Sequence, residues 1–168
     1  MNINKYIQLA RLNNWIKNLI IFSPLFFAGK IGEPHLFKLT GIATVSFSFI
    51  TSFIYILNDY VDIDHDRVHP TKRKRPLASG SVPIMHAGIM AGGLLTLGLG
   101  IIYQISLQTF YFALVYVTIM IAYCLVFRKI ALIDIGIIAI GFVLRLYIGS
   151  SITGVPNSSW IIIMTFLL

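Results

Sequence analysis

The 168-residue chain has little charge and a single cysteine. Asp, Glu, Lys and Arg together make up 11% of its residues, whereas about 25% is usual for a soluble domain. The mean hydropathy is +0.85. The lone cysteine, Cys124, lies within an apolar run, which excludes a disulfide framework and a cysteine-based metal site. The scarcity of charge excludes an ordinary soluble domain and predicts an integral membrane protein.

Acidic residues are the scarcest charged type, with six Asp and Glu against thirteen Lys and Arg and a net charge of +7. An excess of basic residues occurs in nucleic-acid-binding proteins, but basic residues beside membrane helices give the same total. The chain also has no nucleic-acid-binding motif. We therefore expect membrane lipids as partners and no nucleic acid. The N-terminus lacks the cleavage site of a signal peptide.

Apolar runs separated by short polar turns dominate the chain. Four of them have the length of about 20 residues that a helix needs to cross a bilayer: residues 39–57, 84–102, 109–127 and 131–152. Residues 1–18 are amphipathic and suit an interfacial helix, and Pro24 interrupts a shorter run at residues 18–28. The predicted fold is therefore all-α, a polytopic transmembrane helix bundle forming one membrane domain over residues 1–168. A sixth run begins at Trp160 and has nine residues, so we expect the chain to belong to a longer protein.

A dense polar block at residues 58–80, NDYVDIDHDRVHPTKRKRPLASG, holds four of the six acidic residues. At about 100° per residue, Asp59, Asp62 and Asp66 share one face of a helix with Asn58, whereas Asp64 points away. Carboxylates stacked in this way repel one another unless a cation lies among them. Mg²⁺ suits the position because it takes one or two carboxylates and completes its shell with water and substrate phosphates. The three aspartates on this face are the candidate catalytic and metal-binding residues, with Asn58 beside them.

A basic run follows the aspartates directly, and Lys72, Arg73 and Arg75 are candidates for binding the phosphates of a substrate. The alternative is a solvated loop whose charges report only membrane orientation. With this loop inside, ten basic residues, including Arg128 and Lys129, fall on its side and two on the other. The positive-inside rule then places residues 58–83 in the cytoplasm, and we expect a bacterial inner membrane.

Two ionisable residues lie in the run at residues 131–152. Arg145 is far from either end of its helix, where a charge is costly unless it faces a wet cavity or a partner. Asp134 lies about 16 Å away along the helix, too far for direct pairing, so we expect both to line one polar cavity in which Arg145 binds phosphate. The alternative is a carboxylate partner for Arg145 on a helix outside this chain. Lys17 and Asn18 can reach the same cavity, although Lys17 can also snorkel to the interface.

The motif NDxxDxxxD at residues 58–66 resembles the first aspartate-rich motif of the UbiA-type intramembrane prenyltransferase superfamily. WIKN at residues 15–18 and HPTKRKRPLASG at residues 69–80 are similar to its polyprenyl-phosphate (decaprenyl-phosphate) phosphoribosyltransferase branch. The resemblance implies nine helices, of which about five and a half lie in this chain, and a diphosphate bound through magnesium. It also implies a second aspartate-rich motif after the sixth helix, beyond the residues present here.

This resemblance implies a Mg²⁺-dependent transferase with a polyprenyl lipid and a diphosphate-bearing co-substrate. The number of cations favours transfer of a phosphoribosyl group from phosphoribosyl diphosphate to a polyprenyl phosphate. The alternative is transfer of a polyprenyl group from its diphosphate to an aromatic acceptor, as in quinone or haem pathways. A non-enzymatic lipid-binding or transport protein is a lesser alternative, because transport sites lie near the bilayer midplane and the carboxylates here lie at a helix end.

Overall fold

The computed structural model describes residues 3–127 and 130–167, and every regular element in these ranges is helical. The helices are α1 (Ile3–Ala10), α2 (Ser23–Phe27), α3 (Pro34–Val61), α4 (Ile63–Val68), α5 (Ile84–Ile105), α6 (Leu107–Leu125), α7 (Ala131–Thr153) and α8 (Ser159–Leu167), with 3₁₀ segments at Leu12–Phe22 and Lys72–Lys74. Helices α3, α5, α6 and α7 are long and apolar enough to cross a membrane. The prediction of an all-α membrane bundle is confirmed. Arg128 and Lys129, which entered the charge count, lie outside the described residues.

The sequence predicts a short apolar run at residues 18–28, but the structure has a longer helical segment at residues 12–27. We call this segment the first crossing. A 3₁₀ segment of 11 residues begins at Leu12 and continues directly into the five residues of α2. Because a 3₁₀ helix rises about 2.0 Å per residue, this segment advances roughly 22 Å, and α2 adds about 7.5 Å. The sum is close to the hydrocarbon thickness of about 30 Å. Pro24 lies in the first turn of α2, where a backbone N–H makes no hydrogen bond within the helix, so a residue that lacks this N–H is tolerated.

Two boundaries predicted from the sequence are wrong. The polar turn expected at residues 103–108 reduces to Ser106, whose extended backbone (φ −165°, ψ 131°) separates α5 from α6. Its side chain accepts the N–H of Thr109 at 3.4 Å and caps α6. The helix expected at residues 39–57 instead runs from Pro34 to Val61, because Pro34 suits a first helical position and the pattern of helical hydrogen bonds continues into the aspartates. As a result, Asp59 lies on α3 itself.

Close contact between helices is made at two glycines of the central bundle. A Cβ atom on Gly98 of α5 would lie 2.6 Å from the carbonyl oxygen of Ser46 on α3. A Cβ atom on Gly149 of α7 would lie 2.0 Å from the carbonyl oxygen of Ile21 in the first 3₁₀ segment. Small residues at such contacts let membrane helices approach closely. The second contact holds α7, which carries Arg145, against the segment that carries Lys17 and Asn18.

Gly149→Ala is expected to destabilise the protein by about 1–3 kcal/mol, the usual cost of overpacking a tight contact. The added methyl group has no space unless α7 moves away from the first crossing. Gly136→Ala on the same helix is the matched control, because a Cβ atom added there would have nothing within 4 Å. Thermal unfolding in detergent compares the two variants, and equal midpoints would contradict the prediction.

A small apolar cluster fixes the polar loop between α4 and α5. Leu77 and Val82 from the loop are 2% and 1% exposed and pack with Leu9 of α1 and Ile56 of α3. The backbone N–H of Val82 donates to the carbonyl of Pro76 at 3.1 Å, closing the loop on itself. The loop is therefore anchored to the bundle directly after its last basic residue, which gives that residue a defined position.

Candidate functional site

A polar cleft of about 370 Å³ lies where α3 meets α4. Its lining combines carboxylates, imidazoles, basic side chains, an amide and a phenol: Asn58, Asp62, His65, Asp66, His69, Lys72, Arg75 and Tyr123. Acidic and basic side chains therefore share one cleft, as the sequence predicts for a site that holds a metal and phosphates together.

The aspartates follow one continuous helical path although α3 ends at Val61. The N–H of Asp62 donates to the carbonyl of Asn58 at 3.1 Å, and the N–H of Asp66 donates to the carbonyl of Asp62 at 2.8 Å. Asp59, Asp62 and Asp66 are 3%, 9% and 2% exposed. The side chain of Asp64, by contrast, is 94% exposed and pairs with Arg67 at 3.3 Å. This burial pattern agrees with the predicted common face, whereas the metal-binding role of these residues stays a prediction.

Two arginines occupy the aspartate face. Arg75 donates from Nη1 to Oδ2 of Asp66 at 2.7 Å and to Oδ1 of Asp59 at 3.3 Å. Arg11, at the end of α1, forms an ion pair with the same Oδ1 of Asp59. The amide of Asn58 donates to Oδ2 of Asp62 at 3.4 Å. Asp59 is thus held between two cations, whereas Asp62 and Asp66 line the cleft.

The donor set in the cleft fits a magnesium ion shared with phosphates. Within residues 3–127 and 130–167, no group of three or more His, Cys, Asp and Glu side chains is close enough to hold one ion. Mg²⁺ is usually bound through one or two carboxylates and substrate phosphates instead of an all-protein cage. Asp62 and Asp66 supply two carboxylates, and Lys72 and Arg75 supply positive charge beside them. The cleft therefore suits a magnesium diphosphate.

Of the basic run, the structure brings Lys72 and Arg75 to the cleft but not Arg73. The Nδ1 atom of His69 accepts the backbone N–H groups of Thr71 and Lys72, each at 3.3 Å, and fixes the short 3₁₀ turn. Arg73 lies on this turn, is exposed and does not line the cleft. The imidazole thus stabilises the turn that carries Lys72 and Arg73, a role that sequence patterns alone do not indicate.

A second cavity of about 230 Å³ lies deeper in the bundle and adjoins the cleft, since Asn58 and Tyr123 line both. Among the described residues that line this interior cavity, none is acidic. Three are cationic and three are phenols: Arg11, Lys17, Arg145, Tyr55, Tyr116 and Tyr123. Cations and hydroxyl groups set among apolar side chains, with no carboxylate among the described lining residues, favour a bound anion. The structure therefore brings Lys17 and Arg145 into one cavity, as predicted from the sequence.

Arg145 is 6% exposed, and every hydrogen bond described for it goes to a neutral acceptor. It donates from Nε to Oδ1 of Asn18 at 2.9 Å, from Nη1 to the carbonyl of Gly141 at 2.7 Å and from Nη2 to the hydroxyl of Tyr116 at 3.2 Å. Three rings surround its guanidinium with centroids at 5.1–5.3 Å: Phe47, Tyr116 and Phe142. These contacts hold the cation without cancelling its charge. Asn18, 1% exposed, orients Arg145 and does not itself line the cavity.

Asp134 has a different contact from the one predicted. Its Oδ1 accepts a hydrogen bond of 2.7 Å from the hydroxyl of Tyr123, and it is not among the residues that line the cavity of Arg145. Asp134 thus orients a phenol at the junction of the two cavities. The sequence analysis missed Arg11, Tyr116 and Tyr123. Only Arg11 has a local signal, because it lies four residues before the WIKN motif.

Comparison with known proteins gives consistent matches. The model of the UbiA prenyltransferase family matches residues 19–168. A decaprenyl-phosphate phosphoribosyltransferase of Mycolicibacterium smegmatis is 34% identical over 165 residues, which cover 95% of this chain and 52% of the relative. The Corynebacterium glutamicum protein of the same name is also 34% identical, over 94% of this chain and 49% of the relative. The chain thus spans about half the length of these curated relatives.

The fold has a close counterpart among solved structures. A UbiA homologue from Archaeoglobus fulgidus, solved bound to DMAPP and Mg²⁺, superposes with a TM-score of 0.81 at 26% identity. The match covers 96% of this chain and 59% of the homologue. The helix arrangement described above is therefore that of a protein whose structure was solved with DMAPP and with the metal predicted from the aspartate spacing.

Proposed function

The chain belongs to the UbiA prenyltransferase family. We propose that it forms part of a magnesium-dependent intramembrane transferase, which moves a phosphoribosyl group from phosphoribosyl diphosphate to a polyprenyl phosphate. The observation that carries this proposal is the pair of adjoining cavities, one with carboxylates and basic residues and one whose described charged residues are all cations. Such a pair can hold a metal-bound diphosphate beside a separate phosphate group. The relatives named decaprenyl-phosphate phosphoribosyltransferase support the same chemistry.

In this reaction the cleft holds the diphosphate. Asp62 and Asp66 would hold magnesium, with the Asn58 amide donating to Asp62, and Lys72 and Arg75 would contact the phosphate oxygens. Bound magnesium supplies charge stabilisation to the departing diphosphate. The bond between the anomeric carbon and the diphosphate oxygen breaks, and a bond from a lipid phosphate oxygen to the same carbon forms. Asp59 shares the aspartate face but does not line the cleft.

The interior cavity then holds the remaining phosphate charge. Arg145 and Lys17 are placed to contact a phosphate of the lipid or of the ribose, with Asn18 fixing the guanidinium of Arg145. Tyr123, oriented by Asp134, stands where both substrates would meet. Charge-assisted hydrogen bonds to a phosphate are about twice as strong as neutral ones. The buried Arg145 and the other two cations of this cavity are therefore well suited to this role.

A second candidate function is transfer of a prenyl group from its diphosphate to an aromatic acceptor. The similarity to the Archaeoglobus fulgidus homologue bound to DMAPP and Mg²⁺ favours it. That reaction holds a single diphosphate, for which the cleft and its basic side chains suffice. The three cations of the interior cavity then have no phosphate to bind, which is why we place this function second.

The test is a turnover assay on protein purified in detergent and supplied with Mg²⁺. We expect formation of a phosphoribosylated lipid from phosphoribosyl diphosphate and a polyprenyl phosphate, and loss of this product when EDTA removes the metal. Turnover of a polyprenyl diphosphate with 4-hydroxybenzoate, together with no product from phosphoribosyl diphosphate, would establish the second candidate instead.

We also propose a bacterial inner membrane location with residues 58–83 facing the cytoplasm, as the charge distribution indicates. Ser79 and Gln108 are both exposed; Ser79 precedes α5 in the chain, and Gln108 follows α5 in the first turn of α6. In a Cys124→Ala background, we expect Ser79→Cys to react with a membrane-impermeant maleimide only after the cells are opened. Gln108→Cys is expected to react in intact cells. Labelling of position 79 in intact cells would reverse the orientation.

A further inference from the structure

We infer that Asp59 is a positioning residue shared by the two cavities, and that Arg11 is a further phosphate-binding side chain of the interior cavity. This inference rests on the proposed function, since it assigns a phosphate to each cavity. In this arrangement, Asp59 holds Arg11 toward the interior and, together with Asp66, holds Arg75 toward the cleft. One buried carboxylate thus contacts one cation for each substrate.

The position of Asp59 supports this role. It is 3% exposed and lines neither cavity. Its Oδ1 atom accepts from both guanidinium groups, at 3.3 Å from Nη1 of Arg75 and in a close ion pair with Nη2 of Arg11. Arg75 lines the cleft, whereas Arg11 lines the interior cavity. A carboxylate engaged by two cations outside the cleft is a poorer metal ligand than Asp62, which lines the cleft.

Arg11 has an unusual backbone that its side-chain contacts maintain. Its φ of 51° and ψ of 48° make it the one non-glycine residue with positive φ in the part of the chain that the structure describes. Left-handed backbone in a residue with a Cβ is energetically costly and persists where the surroundings fix it, often at functional sites. This turn joins α1 to the first crossing and directs the side chain inward. The guanidinium there pairs with Asp59 and lies 5.1 Å from the ring centroid of Tyr55.

The chemistry of the guanidinium explains what the arrangement achieves. Arginine has five N–H donors in a planar fork, and only one terminal nitrogen, Nη2, makes the described ion pair with Asp59. The remaining donors can reach a phosphate in the cavity that Arg145 and Lys17 also line. A phosphate monoester, from either the polyprenyl lipid or ribose 5-phosphate, is the group that three converging cations suit.

Metal binding separates a positioning role of Asp59 from direct ligation. Mn²⁺ replaces Mg²⁺ as an electron paramagnetic resonance probe, and no phosphate ligand is added, so that the orientation of Arg75 does not enter the measurement. We expect Asp62→Asn to weaken Mn²⁺ binding by at least about tenfold. The Mn²⁺ affinity of Asp59→Asn is expected to stay within about threefold of that of the unsubstituted protein. The same is expected for the matched control Asp64→Asn. A loss in Asp59→Asn as large as that in Asp62→Asn overturns the positioning role.

Phosphate binding tests Arg11 independently, even if Asp59→Asn folds poorly. Polyprenyl phosphate in nanodiscs and soluble ribose 5-phosphate are used as separate probes. We expect Arg11→Gln to weaken binding of one of them by at least about tenfold, and that probe identifies the phosphate that occupies the cavity. Mn²⁺ binding should be unchanged in this variant. The control Arg67→Gln removes an exposed arginine from the same side of the protein. Unchanged binding of both probes to Arg11→Gln overturns the inference.

The two substitutions together show whether Asp59 acts through Arg11. We expect Asp59→Asn alone to weaken binding of the same phosphate probe. In the Arg11→Gln background, Asp59→Asn should weaken this binding further by less than about twofold, because the effects of interacting residues are not additive. Fully additive losses contradict the positioning role. These measurements need no turnover, so failure of the proposed reaction appears in the product assay alone, whereas failure of this inference appears in the binding data.

Discussion

Asp62→Asn and Asp66→Asn are each expected to lower kcat by about 10²–10³-fold, the usual cost of removing one preorganised group that stabilises a developing charge. Both side chains line the cleft, and both are buried at the junction of α3 and α4. The amide of Asn keeps the size of the side chain but removes the negative charge that holds the metal. The kcat of Asp64→Asn should stay within about twofold of that of the unsubstituted protein, because the side chain lies outside the cleft and its exposed ion pair with Arg67 contributes little to stability.

The measurement is phosphoribosyl transfer to polyprenyl phosphate at saturating Mg²⁺, with thermal unfolding of each variant as the control for folding. Asp66→Asn has a second expected effect, because it removes the closer of the two carboxylates that pair with Arg75, at 2.7 Å. We therefore expect a lower unfolding temperature for Asp66→Asn than for Asp62→Asn. Similar losses of activity at positions 62, 64 and 66 would contradict the assignment of one functional face.

The sequence predicted those features that depend on spacing along one helix. The common face of the three aspartates and the isolation of Asp64 follow from helical periodicity alone, and periodicity survives the junction at Asp62 because the backbone hydrogen bonds continue through it. The apolar runs likewise predicted the membrane helices and the all-α fold. The first crossing was harder to predict, because a 3₁₀ helix covers the same distance with fewer residues than an α-helix.

Contacts between distant segments were not predictable in the same way. Arg11 is brought to Asp59 by a left-handed backbone turn, a conformation that nothing in an arginine side chain favours. Tyr123 and Asp134 meet across two different helices, and Asp134 therefore orients a phenol instead of lining the cavity. Arg73 follows Lys72 directly in a basic run, yet only Lys72 of the two lines the cleft, because the short 3₁₀ turn sends the two side chains in different directions. Each of these outcomes depends on tertiary packing.

Arg145→Met is expected to weaken binding of the cavity phosphate by about 10–150-fold, which corresponds to a hydrogen bond to a charged group of about 1.5–3 kcal/mol. Met has a comparable length but no charge. The free energy of unfolding should fall as well, because the buried acceptors on Asn18 and Tyr116 lose their donor, and an unpaired buried acceptor costs about 1–3 kcal/mol. The measurements are binding of polyprenyl phosphate and of ribose 5-phosphate, together with the unfolding temperature in detergent.

Arg145→Lys provides the conservative comparison. Lysine keeps the charge but loses the planar fork that bonds Asn18, Gly141 and Tyr116 simultaneously. We therefore expect its phosphate affinity to lie between those of Arg145→Met and the unsubstituted protein. A purely structural arginine would lower the unfolding temperature of both variants and leave the phosphate affinity of the folded fraction unchanged. That outcome would mean that Arg145 binds no phosphate, and it would favour a reaction with a single diphosphate.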